Sequence, residues 1–478
     1  MDNRTLDYYK NGENMGTYEN AIGRTIYWGE WIDAAGDNGT ILPNTSWAND
    51  DHGMVFVMGN GQSGATSDFE VNFGQRPFRF APPPGYQAAS LVSTVSRPTV
   101  IRSDIRYFNV TGWTGDGTNN REISFGCDLQ PDLIWYKERS EDRDWQMYDT
   151  VRGVGPAKNL VTNTTYAEDS NDDTSYGYTS SFNRDGFTVT NGSSGGNENI
   201  YTNKNGQTYV CWGWRAGGSK GTWNLNGDDV GSLTAAGLNY GDTSVLNGAS
   251  VNTEAGFSIV KWTQDSGGSS KNIAHGLTRA PNFIIMKHTN ASSNYYVTHN
   301  GIESASGAKI LYMNSDSGQD TSSDFGSVYP SSTYTATSTT GVNGREVIMY
   351  SWHDVEGVQK FGQFEGNGQS SAILGPYIYL GFMPALLFIK RVDANGHNWF
   401  AWDNVIDKYN RTDTTLKPNT YGAEDNSANY YLHFKSDGFK IANSTSSINN
   451  SGSKFIYCAW ASAPFTQLYG ANTNPRTG

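Results

Sequence analysis

Long helical stretches are missing from this chain of 478 residues: no extended run of Ala, Leu, Glu and Lys recurs with a 3.6-residue period, which excludes a mainly helical fold. Cysteine is nearly absent. The three present, Cys127, Cys211 and Cys458, lie far apart, two of them inside apolar runs, so buried free thiols are expected in preference to a disulfide or a metal cage. No apolar run approaches 18 residues and the opening M-D-N-R-T-L has no signal-like apolar core, so neither membrane insertion nor a secretory address is expected. Basic residues are short as well, 34 against 47 acidic ones for a formal net charge of −13. No basic cluster stands out along the chain, and an acidic surface repels phosphate backbones, which argues against nucleic acid as a partner.

Catalytic patterns are equally scarce. The seven histidines, His52, His275, His288, His299, His353, His397 and His433, form no H-E-x-x-H or H-x-H spacing. There is no G-x-S-x-G elbow and no phosphate-binding glycine loop. His275, in A-H-G-L, is expected to be a turn residue. With 47 acidic residues, pairs of carboxylates are too common to point to glycoside hydrolysis. No catalytic, cofactor-binding or metal-ligating residue is assigned, and no cofactor.

What the chain has is aromatic rings and glycine. Only 36% of residues are hydrophobic, yet 28 are Tyr, 21 Phe and 14 Trp; cores built from so few apolar residues must be thin and aromatic, as packed sheets are. Disordered chains lack such aromatic content. The 55 glycines, without a collagen period, supply turns between many short strands. The fold class expected is all-β, in tandem antiparallel β-sandwich-like modules.

Three stretches, Phe108 to Trp214, Phe257 to Trp352 and Phe361 to Trp460, repeat one pattern. A proline leads an apolar run that ends in lysine six residues on: P-D-L-I-W-Y-K (131–137), P-N-F-I-I-M-K (281–287) and P-A-L-L-F-I-K (384–390). An aromatic with a polar partner four residues later follows: Trp145 and Asp149, Tyr295 and His299, Trp399 and Asp403. The first and third stretches share L-V-T-N-T-T-Y-A-E-D (160–169) with L-K-P-N-T-Y-G-A-E-D (416–425), and D-G-F at 185–187 and 437–439; the second keeps Leu311 and Asn314. Each closes on an aromatic run: Y-V-C-W-G-W, V-I-M-Y-S-W or F-I-Y-C-A-W. Repetition over about 100 residues signals duplicated domains. Five or six strands per repeat can bury an aromatic face only by forming a sandwich or by packing on the neighbouring repeat.

The organisation expected is a partial sandwich at 1–89, a linker at 90–106, repeat units at 107–218, 256–356 and 357–466, a Gly-rich linker at 219–255 and a tail at 467–478. The linker at 219–255 is too polar to own a core, and Trp223 either docks on a neighbour or pins the linker. Near the start, Tyr9, Asn11 and Gly12 suggest a hairpin with a two-residue turn, and F-E-V-N-F (69–73) alternates as a half-buried strand does.

The Y-Y-K-N-G-E-N-M-G turn and the V-N-F-G-Q-R-P-F run followed by P-P-G-Y resemble the C-terminal half of a SPRY domain, a concanavalin-like β-sandwich that presents binding loops. The preceding strands of such a domain are missing. A half sandwich leaves an open apolar face, so either the polypeptide begins upstream or another chain covers that face.

The repeats, through G-W-T-G-D-G-T, P-D-L-I-W-Y-K, Y-D-T-V-R-G-V, N-R-D-G-F-T-V and Y-V-C-W-G-W-R-A-G, resemble repeat domains of virion proteins of marine bacteriophages. That resemblance implies a tail-fibre or virion surface protein, assembled in the host cytoplasm and homo-oligomeric. Its implied partners are other virion proteins and a host surface glycan or protein. The aromatic–acid pairs, Trp145 with Asp149 and Trp399 with Asp403, are either sugar platforms or scaffold, scaffold being favoured. Glu168-Asp169 and Glu424-Asp425 are either a Ca²⁺ site or solvated turns, the turns being favoured without a D-x-D-x-D-G loop. Non-catalytic host-cell recognition is the leading function. A virion connector or decoration protein without receptor binding, and a polysaccharide-degrading phage enzyme, are the alternatives.

Overall fold

The structure, a computed structural model, describes residues 5–10, 13–19, 107–168, 170, 173–265, 271–302, 309–321, 331–337, 343–370, 374–427 and 429–461. The chain divides into two bodies, Met1–Ile101 and Arg102–Gly478.

In the first body the described part is a hairpin. Strands β1 (Thr5–Lys10) and β2 (Glu13–Glu19) pair antiparallel from Thr5↔Glu19 to Lys10↔Glu13; the turn expected at Asn11 and Gly12 lies outside the described residues. The strands expected around 53–58 and 68–80, and with them the SPRY-like sandwich, lie outside the described residues. So do the 90–106 connector and the 467–478 tail.

The regular structure of the second body is nearly all strand, and almost all of its strand pairings are antiparallel. Its first unit contains β3 (Phe108–Thr114), β4 (Arg121–Ser124), β5 (Leu133–Glu138), β6 (Gln146–Asp149), β7 (Tyr178–Asn183), β8 (Gly186–Thr190) and β9 (Thr208–Trp214). Next come β10 (Trp223–Leu225), β11 (Asp228–Asp229) and β12 (Leu246–Asn252). The second unit contains β13 (Phe257–Thr263), β14 (Lys271–Ala274), β15 (Phe283–His288), β16 (Tyr296–His299), β17 (Lys309–Tyr312), β18 (Asp320–Thr321), β19 (Tyr334–Thr337) and β20 (Glu346–Trp352). The third has β21 (Gln359–Glu365), β22 (Tyr377–Tyr379), β23 (Pro384–Arg391), β24 (Phe400–Asp403), β25 (Leu432–Lys435), β26 (Gly438–Ile441) and β27 (Lys454–Ala461).

One plan serves all three. A four-strand sheet runs β3-β9-β5-β6 in the first unit and β21-β27-β23-β24 in the third, each facing a three-strand sheet, β4-β8-β7 or β22-β26-β25. In the second unit the same four positions, β13-β20-β15-β16, are extended to nine strands by β12, β10 and β11 on one edge and β17 and β18 on the other, and the smaller sheet is β14-β19. Residues 219–255, expected to be a linker, therefore supply strands to the second unit. Their few apolar residues, among them Leu238, Val245 and Val251, complete that unit's core, and Trp223 packs against it from β10. A polar segment without a core of its own gains one by joining an existing sheet edge.

The closing strands are largely apolar because both of their faces are buried. In β9, Tyr209 and Cys211 face the smaller sheet, while Val210, Trp212 and Trp214 face a core shared by all three units. In β20, Val347 and Met349 point one way and Ile348, Tyr350 and Trp352 the other. In β27, Phe455, Tyr457 and Ala459 point to the unit's own core and Ile456, Cys458 and Trp460 to the shared one. The terminal tryptophans meet there. Ring centroids lie 6.0 Å apart for Trp214 and Trp352, 5.4 Å for Trp214 and Trp460, and 6.1 Å for Trp352 and Trp460, all edge to face. Three equivalent residues in three mutual contacts define a pseudo-threefold axis within one chain.

The repeats differ at its margin. Phe108 and Phe257 stand opposite Trp214 and Trp352, but Gln359 stands opposite Trp460 and Phe361 opposite Cys458. Gln359 uses its amide to join units, donating to Ala255, Gly256 and His353 carbonyls at 2.9, 3.1 and 2.8 Å.

Candidate recognition surface

The repeated aromatic–polar pairs are internal. Trp145, Tyr295 and Trp399 are fully buried, as are Asp149, His299 and Asp403 to within 1% exposure, so none of these rings offers a face to a sugar. Their main-chain amides donate to Asn163, Asn314 and Asn419 side chains at 3.0, 2.9 and 3.0 Å, which explains why that asparagine recurs. The polar partners cross unit boundaries in a cycle. Asp149 accepts the Val151 and Arg152 amides and, from the second unit, the Tyr350 hydroxyl at 2.7 Å. Asp403 accepts the Val405 and Ile406 amides and, from the first unit, the Trp212 indole N–H at 3.1 Å.

His299 closes the cycle. Its Nδ1 accepts the Gly301 amide at 2.9 Å, so Nε2 carries the hydrogen and donates to the Tyr457 carbonyl at 3.1 Å. The substitution of histidine for aspartate has a physical reason: the third unit holds Cys458 where Trp212 and Tyr350 hold good donors. A carboxylate there would lack a strong partner, whereas histidine finds a main-chain acceptor. Burial lowers His299 to about 4 and keeps it neutral.

The repeated lysines form a second cycle. Lys137 donates to the Tyr421 carbonyl of the third unit at 2.7 Å and to that of Arg143. Lys287 donates to Thr165 of the first unit at 3.1 Å and to Ser293 at 2.6 Å. Lys390 donates to Asp316 of the second at 3.3 Å and to His397 at 2.7 Å. The same three carbonyls also accept the amides of Arg143, Ser293 and His397, and a further main-chain bond follows in each loop, from Glu424 to Arg139, Glu168 to Thr289 and Gln319 to Val392. All three lysines are buried, and desolvation lowers Lys137 to about 8 and Lys287 and Lys390 to about 7.

The remaining expected candidates are structural too. Glu168 pairs with Lys158 at 2.9 Å, Glu424 with Arg139 at 2.7 Å and Asp425 with Lys417 at 2.8 Å; Asp169 lies outside the described residues. His275 is buried, accepts the Leu277 amide and contacts the Ser331 carbonyl. The cysteines are free thiols, Cys211 and Cys458 buried and Cys127 half-buried. Among the described residues no group of three or more His, Cys, Asp and Glu is placed to hold a metal ion, and no helix is long and apolar enough to cross a membrane.

The surface that stands apart is the outer face of β22-β26-β25. Of seven exposed large apolar residues among those described, five are in the third unit: Leu374, Tyr377, Tyr379, Tyr409 and Tyr421. Alternation along β22 buries Ile378 and turns Tyr377 and Tyr379 outward, 45% and 49% exposed. Across the sheet Tyr377 is level with Lys440 and His433, and Tyr379 with Gly438 and Lys435. Arg411 lies over the Tyr431 ring at 4.6 Å and Lys360 over Tyr379 at 5.5 Å. The first unit builds the same sheet differently: register places Glu122, Ser124, Thr188, Ser181 and Asn183 at these positions. The aromatic and cationic face is thus no requirement of the scaffold. Its only linear signal is Y-I-Y at 377–379, and the cations come from separate strands and loops, which is why no basic cluster is visible along the chain.

These features define an all-β protein of three sandwiches closed around an internal pseudo-threefold core. Residues 103–464 match the family described as Domain of unknown function (DUF7483), and the chain belongs to that family. No curated protein and no solved structure matches it.

Proposed function

We propose that this protein is a non-catalytic component of a bacteriophage virion surface or tail fibre, homo-oligomeric in the particle, that contacts host-cell glycan through its third unit. The exposed tyrosine pair on β22 carries this reading: a ring stacks on the apolar face of a sugar, and the interlocked core holds both rings on a rigid base. The resemblance of the repeats to phage virion proteins supports the location. The test is binding of the full chain to host cells and to their extracted surface glycans. Saturable binding, weakened by joint Tyr377→Ala and Tyr379→Ala, supports it. Release of shortened glycan would make the protein an enzyme, and absence of binding would favour a connector or decoration role.

A further inference from the structure

We infer that the outer face of β22-β26-β25 selects anionic glycans, those carrying carboxylate, sulfate or phosphate groups, over neutral ones; this rests on the recognition role proposed above. Two rows cross the face. Tyr377, Lys440 and His433 form one; Tyr379, Gly438 and Lys435 form the other. Gly438 has no side chain and is itself buried, so the outward groups of that row are Tyr379 and Lys435, two strands or about 10 Å apart.

Four cations border these rows: Lys435 and Lys440 within the sheet, Lys360 against Tyr379 and Arg411 against Tyr431. Among the described residues, two carboxylates border them. Asp413 pairs with Arg411 at 2.7 Å, and Asp437 takes the Tyr377 hydroxyl at 2.5 Å. The balance is reflected in His433, whose pKa is lowered by burial and then by Lys435, Arg411 and Lys440 together. Residues 359–461 hold nine Lys and Arg against eight Asp and Glu, whereas 108–214 hold eight against fifteen. In a chain of net charge −13, this unit is where an anion is repelled least, and its tyrosine face concentrates the cations. Rings plus dispersed cations suit a polymer that has apolar sugar faces and acidic substituents on the same unit.

The experiment measures binding of the full chain to immobilised alginate, dextran sulfate and neutral dextran, with single-stranded DNA as a non-glycan polyanion. The two acidic glycans should bind at least about tenfold more tightly than dextran at low salt, and weaken as salt is raised. Joint Lys435→Glu and Lys440→Glu should weaken acidic-glycan binding about tenfold or more, with unchanged denaturation midpoint, because both side chains lie on the outer face. Binding to only one acidic glycan would still support the inference and identify the substituent. Equal binding of dextran overturns anionic selectivity but leaves recognition standing; equal binding of DNA overturns glycan specificity. Acidic-glycan binding unaffected by the lysine reversals overturns the site, and binding to no glycan, host glycan included, overturns the recognition role itself.

Discussion

The Tyr350 hydroxyl of the second unit donates to Asp149 of the first across 2.7 Å, and Asp149 in turn neutralises the buried Arg152 guanidinium at 2.5 Å. Tyr350→Phe should cost about 1–3 kcal/mol by removing one bond to a buried carboxylate. Asp149→Ala should cost more, about 3–5 kcal/mol, because Arg152 then keeps the Lys158 and Met147 carbonyls but, of the carboxylates among the described residues, Glu168 alone, 3.7 Å away. Urea midpoints of the two variants should fall in that order.

Lys287 ties the second unit to the first through Thr165. Lys287→Met keeps the buried stem but takes the amine's bond from the Ser293 carbonyl and leaves that of Thr165 with the Ser293 amide alone, at a cost of about 2–4 kcal/mol. Hydrogen exchange should then quicken in both partners of the junction, the 290s loop and the 160s loop; acceleration confined to the second unit would mean that the lysine does not join them.

Acid should loosen the protein. Burial holds His275 and His299 near 4 against an ordinary 6.5. Between those values the unfolded chain binds protons that the folded chain refuses, so stability rises with pH across that window and falls as acid is added. Each histidine then withdraws about 3 kcal/mol by pH 4, at ~1.4 kcal/mol per unit. Asp132, raised to about 6 by burial, acts in the opposite sense between 3.8 and 6. Comparison with His299→Asn isolates one contribution: the variant should lose less stability than the parent between pH 7 and 4.5.

The glycines of the two D-G-F turns have no room for a methyl group. A Cβ on Gly186 would sit 1.9 Å from the Ile123 carbonyl oxygen, and one on Gly438 2.1 Å from that of Ile378. Gly186 also has a φ of +138°. Both Ala variants should be destabilised by about 1–3 kcal/mol, Gly186→Ala by more, as thermal unfolding would show.

Much of this architecture is written locally. The paired strands β1 and β2, the proline-led strands and the closing aromatic runs each sit where period and turn chemistry place them. The continuous apolar character of Y-V-C-W-G-W implies burial on both faces, but not by what. Lys137 meets Tyr421, and Asp403 meets Trp212, across hundreds of residues, and nothing near either residue announces its partner. The exchange of aspartate for histidine at 299 makes sense only once Cys458 is seen to stand where Trp212 and Tyr350 hold donors in the other units. The candidate surface has the weakest linear signal, because Tyr377, Lys440 and His433 share a row through strand register alone.

The central claim is that three repeats share one core, and it is tested most directly by hydrogen exchange of the full chain carrying Trp460→Ala. Loss of this ring should cost about 3–5 kcal/mol, and the slowest amides of β9, β20 and β27 should all lose protection by the same free energy. Loss confined to β27, with β9 and β20 unchanged, would show three independently stable sandwiches and contradict the account.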